Sequence, residues 1–180
     1  MQQHGPWTII ERHDVYTDPW MNLVKDDVLR PDGSPGTYSV VQLKPGVCVV
    51  ALDDRRQVHL TEEFHYGVGR VTLEGVSGGV EESEPADSAA RRELAEELGI
   101  TADVWHPMGM VDPFTASVVS PTQLFIAERL QFGPKAPEAT EVIRHVSLPL
   151  EDAIQAVLDG RITHAPTCVL LFKLERHART

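Results

Sequence analysis

The chain has 180 residues, 42% hydrophobic and 24% charged, which fits one ordinary globular domain with a small attachment and excludes a disordered chain. Its formal net charge of −11 repels nucleic-acid backbones, so no nucleic-acid partner is expected, and a phosphate substrate must be met by local Arg or Lys, backbone N–H groups or bound cations. No window reaches the run of about 18 apolar residues that crosses a bilayer, and Met1-Gln2-Gln3-His4-Gly5-Pro6-Trp7 has neither the basic start nor the apolar stretch of a secretory signal. The expectations are therefore no membrane partner and a cytoplasmic address.

In chain order, residues 1–45 read as a small antiparallel β unit and residues 46–180 as the main domain. Trp7-Thr8-Ile9-Ile10, Trp20-Met21-Asn22-Leu23-Val24 and Tyr38-Ser39-Val40-Val41 are short β-prone runs, punctuated by turn signals at Pro31-Asp32-Gly33 and Lys44-Pro45-Gly46. Three such strands hold too little apolar surface for a core of their own, so the unit is expected to pack on the main domain or on a second subunit. The main domain opens with an apolar strand from Val47 to Leu52, then a turn at Asp53-Asp54 and a strand from Gln57 to about Glu63. After a glycine-rich passage a helix is expected from about Pro85 to Leu98, with Pro suited to its first turn and Gly99 to its stop. Further strands are expected at Val104–Met110, Gln123–Leu130 and Glu141–Val146, and helices at Leu150–Leu158 and from about Ala165 to Leu174. This order suggests an α/β sandwich with a mixed sheet. Cys48 and Cys168 fit no zinc or redox spacing, and Cys48, within an apolar strand, reads as core.

The segment from Glu81 to Glu97 carries seven carboxylates, at Glu81, Glu82, Glu84, Asp87, Glu93, Glu96 and Glu97. On a helix Glu93, Glu96 and Glu97 share one face, with Ala90, Leu94 and Leu98 as the apolar stripe. Like charges at that spacing cost a few tenths of a kcal/mol per pair, a cost that a divalent cation with hard oxygen ligands removes. Taken by itself, the helix reads more readily as a solvated acidic face, since Glu is a good helix former. The spacing around it changes the reading. Gly78, Glu84, Arg92, Glu93, Leu94, Glu96, Glu97, Gly99 and Ile100 fill every position of a pattern that resembles the Nudix box; its seven fixed identities coincide by chance at about 1 in 10⁸ per start position, given residue frequencies near 5–7%.

The resemblance implies a Nudix-type α/β/α sandwich whose loop–helix–loop holds Mg²⁺ or Mn²⁺ against a diphosphate. By match to the motif, Glu93 and Glu97 are the main metal-binding carboxylates, Glu96 an accessory one, and the Ser77 carbonyl a further contact. Glu84 and Arg92 match a supporting salt bridge beside Gly78. The wider arrangement is similar to the ADP-ribose and nucleoside-diphosphate-sugar pyrophosphatases, which implies a nucleoside monophosphate and a sugar phosphate as products and a homodimer as the assembly. It also implies a loop glutamate as general base, with Glu141 first and Glu138 second. Glu74 resembles a glutamate near metal and substrate, and Trp20, like Trp7, Tyr16 and Tyr38, could stack on a base or cover apolar surface. At Glu62-Glu63-Phe64-His65 the sequence departs from the subfamily: His65 stands where an Arg is usual, and imidazole cannot copy its bidentate fork. Other nucleotides (a nucleoside triphosphate, a dinucleoside polyphosphate, a nicotinamide dinucleotide) and a non-catalytic nucleotide sensor remain alternatives.

Overall fold

A computed structural model describes residues 1–135 and 142–177. The chain divides into two units: Met1–Lys44 with Phe114–Ser120, and Pro45–Pro113 with Pro121–Thr180. The first unit thus also takes a segment that lies inside the expected main domain.

In the first unit β1 (Gln2–His4), β2 (Trp7–Thr17), β3 (Met21–Leu29), β4 (Pro35–Leu43) and β10 (Val118–Val119) form a sheet in the order β1-β2-β3-β4-β10. The strands are longer than the short runs expected: charged residues continue β2 and β3 past their apolar patches, and polar residues and glycine continue β4. β3 alternates regularly, burying Val24, Asp26 and Val28. Burial of Asp26 is tolerated because Arg12 clamps it bidentately, at 2.7 and 2.8 Å; these hydrogen bonds hold its carboxyl below the usual range. Pro31-Asp32-Gly33 forms the β3–β4 turn, with Asp32 accepting from the Ser34 N–H at 2.9 Å. β10 adds parallel to β4, and Tyr38 donates its hydroxyl to the Ala116 carbonyl. Trp7 and Tyr38 pack edge to face at 5.5 Å inside this unit.

The second unit is built on a mixed sheet, β12 (Arg144–Pro149), β6 (Gln57–His65), β5 (Gly46–Leu52), β11 (Thr122–Phe132) and β9 (Ile100–Val111), with β7 (Arg70–Glu74) on β6 and β8 (Val76–Gly79) on β5. β5 and β11 are parallel and the other pairs antiparallel. Cys48, Val50, Leu124 and Ile126 point to one face, where α2 (Leu150–Leu158) and α3 (Ala165–His177) bring Leu150, Ala153, Leu170, Leu171 and Leu174. Val47, Val49, Ala51 and Phe125 point to the other, against Ala89, Ala90, Leu94 and Leu98 of α1 (Ala86–Leu98). This is the α/β/α sandwich that the sequence suggests. Strand β5 is apolar throughout because both its faces are covered, and each fully buried Leu or Val contributes roughly 1.5–3 kcal/mol.

Three segments differ from expectation. The last strand starts at Arg144, not Glu141, because Leu148 and Pro149 pair with Val58 and Gln57 at its far end; Val142 is exposed and Glu141 lies outside the described residues. Trp20 falls in the β2–β3 turn, 73% exposed, where the Asp18 carboxylate takes the Trp20 and Met21 N–H groups. The last helix runs a turn beyond Leu174, to His177. Among the described residues no helix is long and apolar enough to cross a membrane.

Candidate active site

The site is assembled by the way β5 divides its edge. Its first half, Gly46–Val49, pairs with β8, while Ala51 and Leu52 pair with β6. Ser77 and Gly78 are thereby set opposite Cys48 and Val47, immediately before the loop into α1. Proline at position 85 caps the helix start, and Gly99 ends it in the left-handed region (φ 65°), its N–H returning to the Leu94 and Ala95 carbonyls. A side chain at Gly99 would also collide with the Gly133 carbonyl.

Arg92 organises the polar face of α1. Its Nε and Nη2 donate to both oxygens of Glu84, at 3.0 and 3.1 Å, and Nη1 donates to Glu93 Oε1 at 2.8 Å and Glu96 Oε2 at 3.1 Å. Nη2 also reaches the Gly79 carbonyl at 3.0 Å, so all five N–H groups of the guanidinium are used. The Glu84 hydrogen bonds are the largest influence raising the Arg92 pKa, and Arg92 in turn holds the Glu84 carboxyl below its usual range. Glu97 is buried, at 6% exposure. Glu84, Glu93, Glu96 and Glu97 against Arg92 leave a formal charge of −3.

The carboxylate of Glu93 lies where a Cβ at Gly78 would be. Only glycine at this position lets the backbone of β8 and the Glu93 oxygens come together, so the Ser77–Gly78 backbone and the acidic face of α1 form one concave, oxygen-rich surface. An oxygen donor set with surplus negative charge fits a hard divalent cation. Behind it, burial pushes the Cys48 thiol up to about 11; hydrogen bonds with Ser77 and Thr167 pull it down, while the charges of Glu74 and Glu97 add to the rise.

Glu74, at the end of β7, is not the surface acid that its strand position allows. It is 7% exposed and enclosed by polar side chains: Thr72 Oγ1 donates to it at 2.5 Å, while His65 Nε2 and His164 Nδ1 stand 2.5 and 3.0 Å from its oxygens, the His65 nitrogen outside hydrogen-bond geometry. Burial lowers the His164 pKa, against the pull of Glu74 and with the help of His65. The fully buried Thr167 completes the cluster. Its hydroxyl stands 2.8 Å from His164 Nδ1, accepts from the Gly75 N–H at 2.9 Å and lies 3.7 Å from Cys48 Sγ. Thr72, Thr167 and the contact of His164 with Glu74 are not legible in the sequence, because nothing local signals a pair ninety residues apart. Next to this cluster, Glu62 is engaged by Arg144, which lies opposite it on β12 and pairs with it.

The structure thus brings Ser77, Gly78, Glu84, Arg92, Glu93, Glu96 and Glu97 together around α1, and joins His65 to Glu74. Trp20 belongs to the first unit. Glu138 and Glu141 lie outside the described residues.

A loop–helix–loop of this composition on an α/β/α sandwich defines a class, and the comparisons agree. The NUDIX domain model matches residues 42–167, and the model for the nucleoside diphosphate sugar hydrolase N-terminal domain matches residues 7–41. The chain belongs to the Nudix family and is a Nudix hydrolase. It is 25% identical over 174 residues to the ADP-ribose pyrophosphatase of Bacillus subtilis (strain 168), covering 92% of this chain and 91% of that protein. It is 26% identical over 169 residues to the ADP-ribose pyrophosphatase of Mycobacterium tuberculosis (strain ATCC 25618 / H37Rv), covering 92% and 81%. The crystal structure of an ADP compounds hydrolase superposes with a TM-score of 0.85 at 18% identity, covering 99% of this chain and 97% of that one, which shows the shared fold.

Proposed function

We propose that this hydrolase cleaves the diphosphate linkage of ADP-ribose or a related nucleoside diphosphate sugar, with Mg²⁺ or Mn²⁺, to give a nucleoside monophosphate and a sugar phosphate. The observation that carries the reading is the seating of the Glu93 carboxylate against Gly78 within a cluster of formal charge −3. The match of the first unit to nucleoside diphosphate sugar hydrolases and the two ADP-ribose pyrophosphatase relatives support the substrate class.

In this reading Glu93 and Glu97 are the principal ligands, with Glu96 and the Ser77 carbonyl beside them. Bound divalent cations supply charge neutralisation for the diphosphate and make an attacking water more acidic. Arg92 holds Glu93 and Glu96 at fixed separation and ties them through Glu84 to the loop, so the carboxylates need little reorganisation when substrate binds. Glu141, with Glu138 as second choice, takes the proton of the attacking water on a carboxylate oxygen, and Glu97 is the further catalytic carboxylate. Glu74 and His65 orient the substrate's sugar side through hydrogen bonds. The active form is taken to be a cytoplasmic homodimer, a state that sedimentation of the purified chain checks.

The test is a substrate panel with each metal, products identified by mass: ADP-ribose, nucleoside diphosphate sugars, a nucleoside triphosphate, a dinucleoside polyphosphate and a nicotinamide dinucleotide. Monophosphate plus sugar phosphate is expected. Inorganic diphosphate released from a triphosphate as the preferred reaction would overturn the substrate class, and ADP-ribose binding with no turnover under either metal would leave a sensor instead.

A further inference from the structure

Three side chains from three elements of the second unit converge away from the α1 carboxylates. They are His106 of β9, Glu128 of β11 and His177, the last residue of α3, and their ligand atoms all lie within 4.8 Å of one another. The strand register creates half of the cluster. Ile126 lies opposite His106 and Val104 opposite Glu128, so His106 and Glu128 are diagonal neighbours on one face of the antiparallel pair. His106 Nε2 stands 2.7 Å from Glu128 Oε2. The extra turn of α3 supplies the third member, placing the His177 ring 4.5 Å from that of His106 at 55°.

The cluster is on the α2–α3 side of the sheet. Met108, two residues along β9 from His106, packs in the core that contains Leu170, Leu171 and Leu174, whereas α1 covers the opposite face. All three side chains are partly buried. Two imidazoles and one carboxylate are a donor set that suits Zn²⁺, while imidazole is a poor ligand for Mg²⁺. With both imidazoles neutral the set carries −1, and the C-terminal end of a helix adds partial negative charge. The nearby ammonium of Lys173 is engaged elsewhere, donating to the Met108 carbonyl at 2.5 Å. His177 also lines a depression with Met108, Phe172 and Lys173, which gives solvent access for a water as fourth ligand. In a tetrahedral Zn²⁺ site with bonds near 2.0–2.1 Å, ligand atoms stand roughly 3.3 Å apart, so the side chains need shifts of only about an ångström.

We propose that His106, Glu128 and His177 form a second cation site, selective for Zn²⁺ or a similar transition metal, that clamps the end of α3 to β9 and β11. The role is structural, and it is independent of the diphosphate chemistry assigned to α1.

The test uses the full-length chain without a histidine tag, in excess Mg²⁺ so that the oxygen-only site on α1 is filled. Zn²⁺ is titrated by calorimetry and Co²⁺ by visible absorption. About one equivalent is expected to bind, with Co²⁺ bands of a low-symmetry site containing imidazole. His177→Ala, at a helix end where little packing is lost, is expected to weaken binding more than about tenfold, whereas Glu93→Gln/Glu97→Gln keeps it. Zn²⁺ at a hundredfold excess over its Kd is expected to raise the melting temperature of the parent chain by roughly 5–10 °C and to leave that of His177→Ala unmoved. Absence of binding overturns the proposal, as does binding that survives His177→Ala and disappears in the α1 variant.

Discussion

The second unit holds two carboxylate clusters of opposite design. Around α1, Glu84, Glu93 and Glu96 share one guanidinium, that of Arg92, and Glu97 follows Glu96 on the same helix, so formal negative charge is in excess. Around Glu74 the proportions are reversed: one carboxylate meets Thr72, His65 and His164. The first arrangement has the surplus negative charge that suits a hard divalent cation; the second is already surrounded by polar side chains of the protein. Residue type alone does not separate them, since both are glutamates of low exposure. What differs is how many polar side chains the neighbouring strands and helices bring to each carboxylate, and the proposed roles of α1 and of Glu74 rest on that difference.

The comparison is broken most directly at Glu97. Glu97→Gln is expected to lower kcat on the order of 10²–10³-fold while preserving the circular dichroism spectrum, because it removes one carboxylate charge from the site; unchanged turnover would remove α1 from the mechanism. Gly78→Ala asks whether position matters as well as charge. Its Cβ would displace the Glu93 carboxylate, the mobile end of a flexible side chain, so stability should hardly change while kcat falls roughly 10–100-fold. A loss of stability without a kinetic effect would speak against the assigned role of Glu93.

Thr167→Val probes the closed cluster. It keeps the side chain's shape but leaves the buried Gly75 N–H without its acceptor, at a cost of about 1–3 kcal/mol, seen as a lower midpoint in urea; a neutral result would mean that the network does not stiffen the β7–β8 corner. The smallest effect concerns pH. Burial lowers the His164, His59 and His145 pKa values, so below the ordinary imidazole value of about 6.5 the unfolded chain binds more protons than the folded one. Stability is therefore full above that value and is lost as pH falls through the depressed folded values, by at most about 1.4 kcal/mol per pH unit for each imidazole. His164→Gln is expected to flatten this slope between pH 6.5 and 5 in urea titrations, and an unchanged slope would place the depressed protonation at the His59–His145 pair, whose ring nitrogens stand 2.8 Å apart.

Much of the site around α1 was legible because its instructions are local. The i, i+3 and i+4 spacing of Glu93, Glu96 and Glu97 follows from helix geometry, and Gly99 marks the stop by a backbone angle that other residues rarely take. The unbroken apolar run of β5 likewise reported a strand buried in the core. Strand ends were less legible. Charged residues extend β2 and β3, and β12 is placed by pairing with β6 and not by its own apolar run.

By itself, then, the sequence determined the metal-fitting helix, the family to which it belongs and the layered order of strands and helices, since each rests on spacings of a few residues. Only the tertiary structure decided that Glu93 rests on Gly78, that Glu74 is enclosed by His65 and His164, and that Phe114–Ser120 belongs with the first unit. It likewise brought His177 to His106 and Glu128. These meetings depend on strand register and on where a helix ends, quantities set by the packing of the whole core, so no short stretch of sequence encodes them.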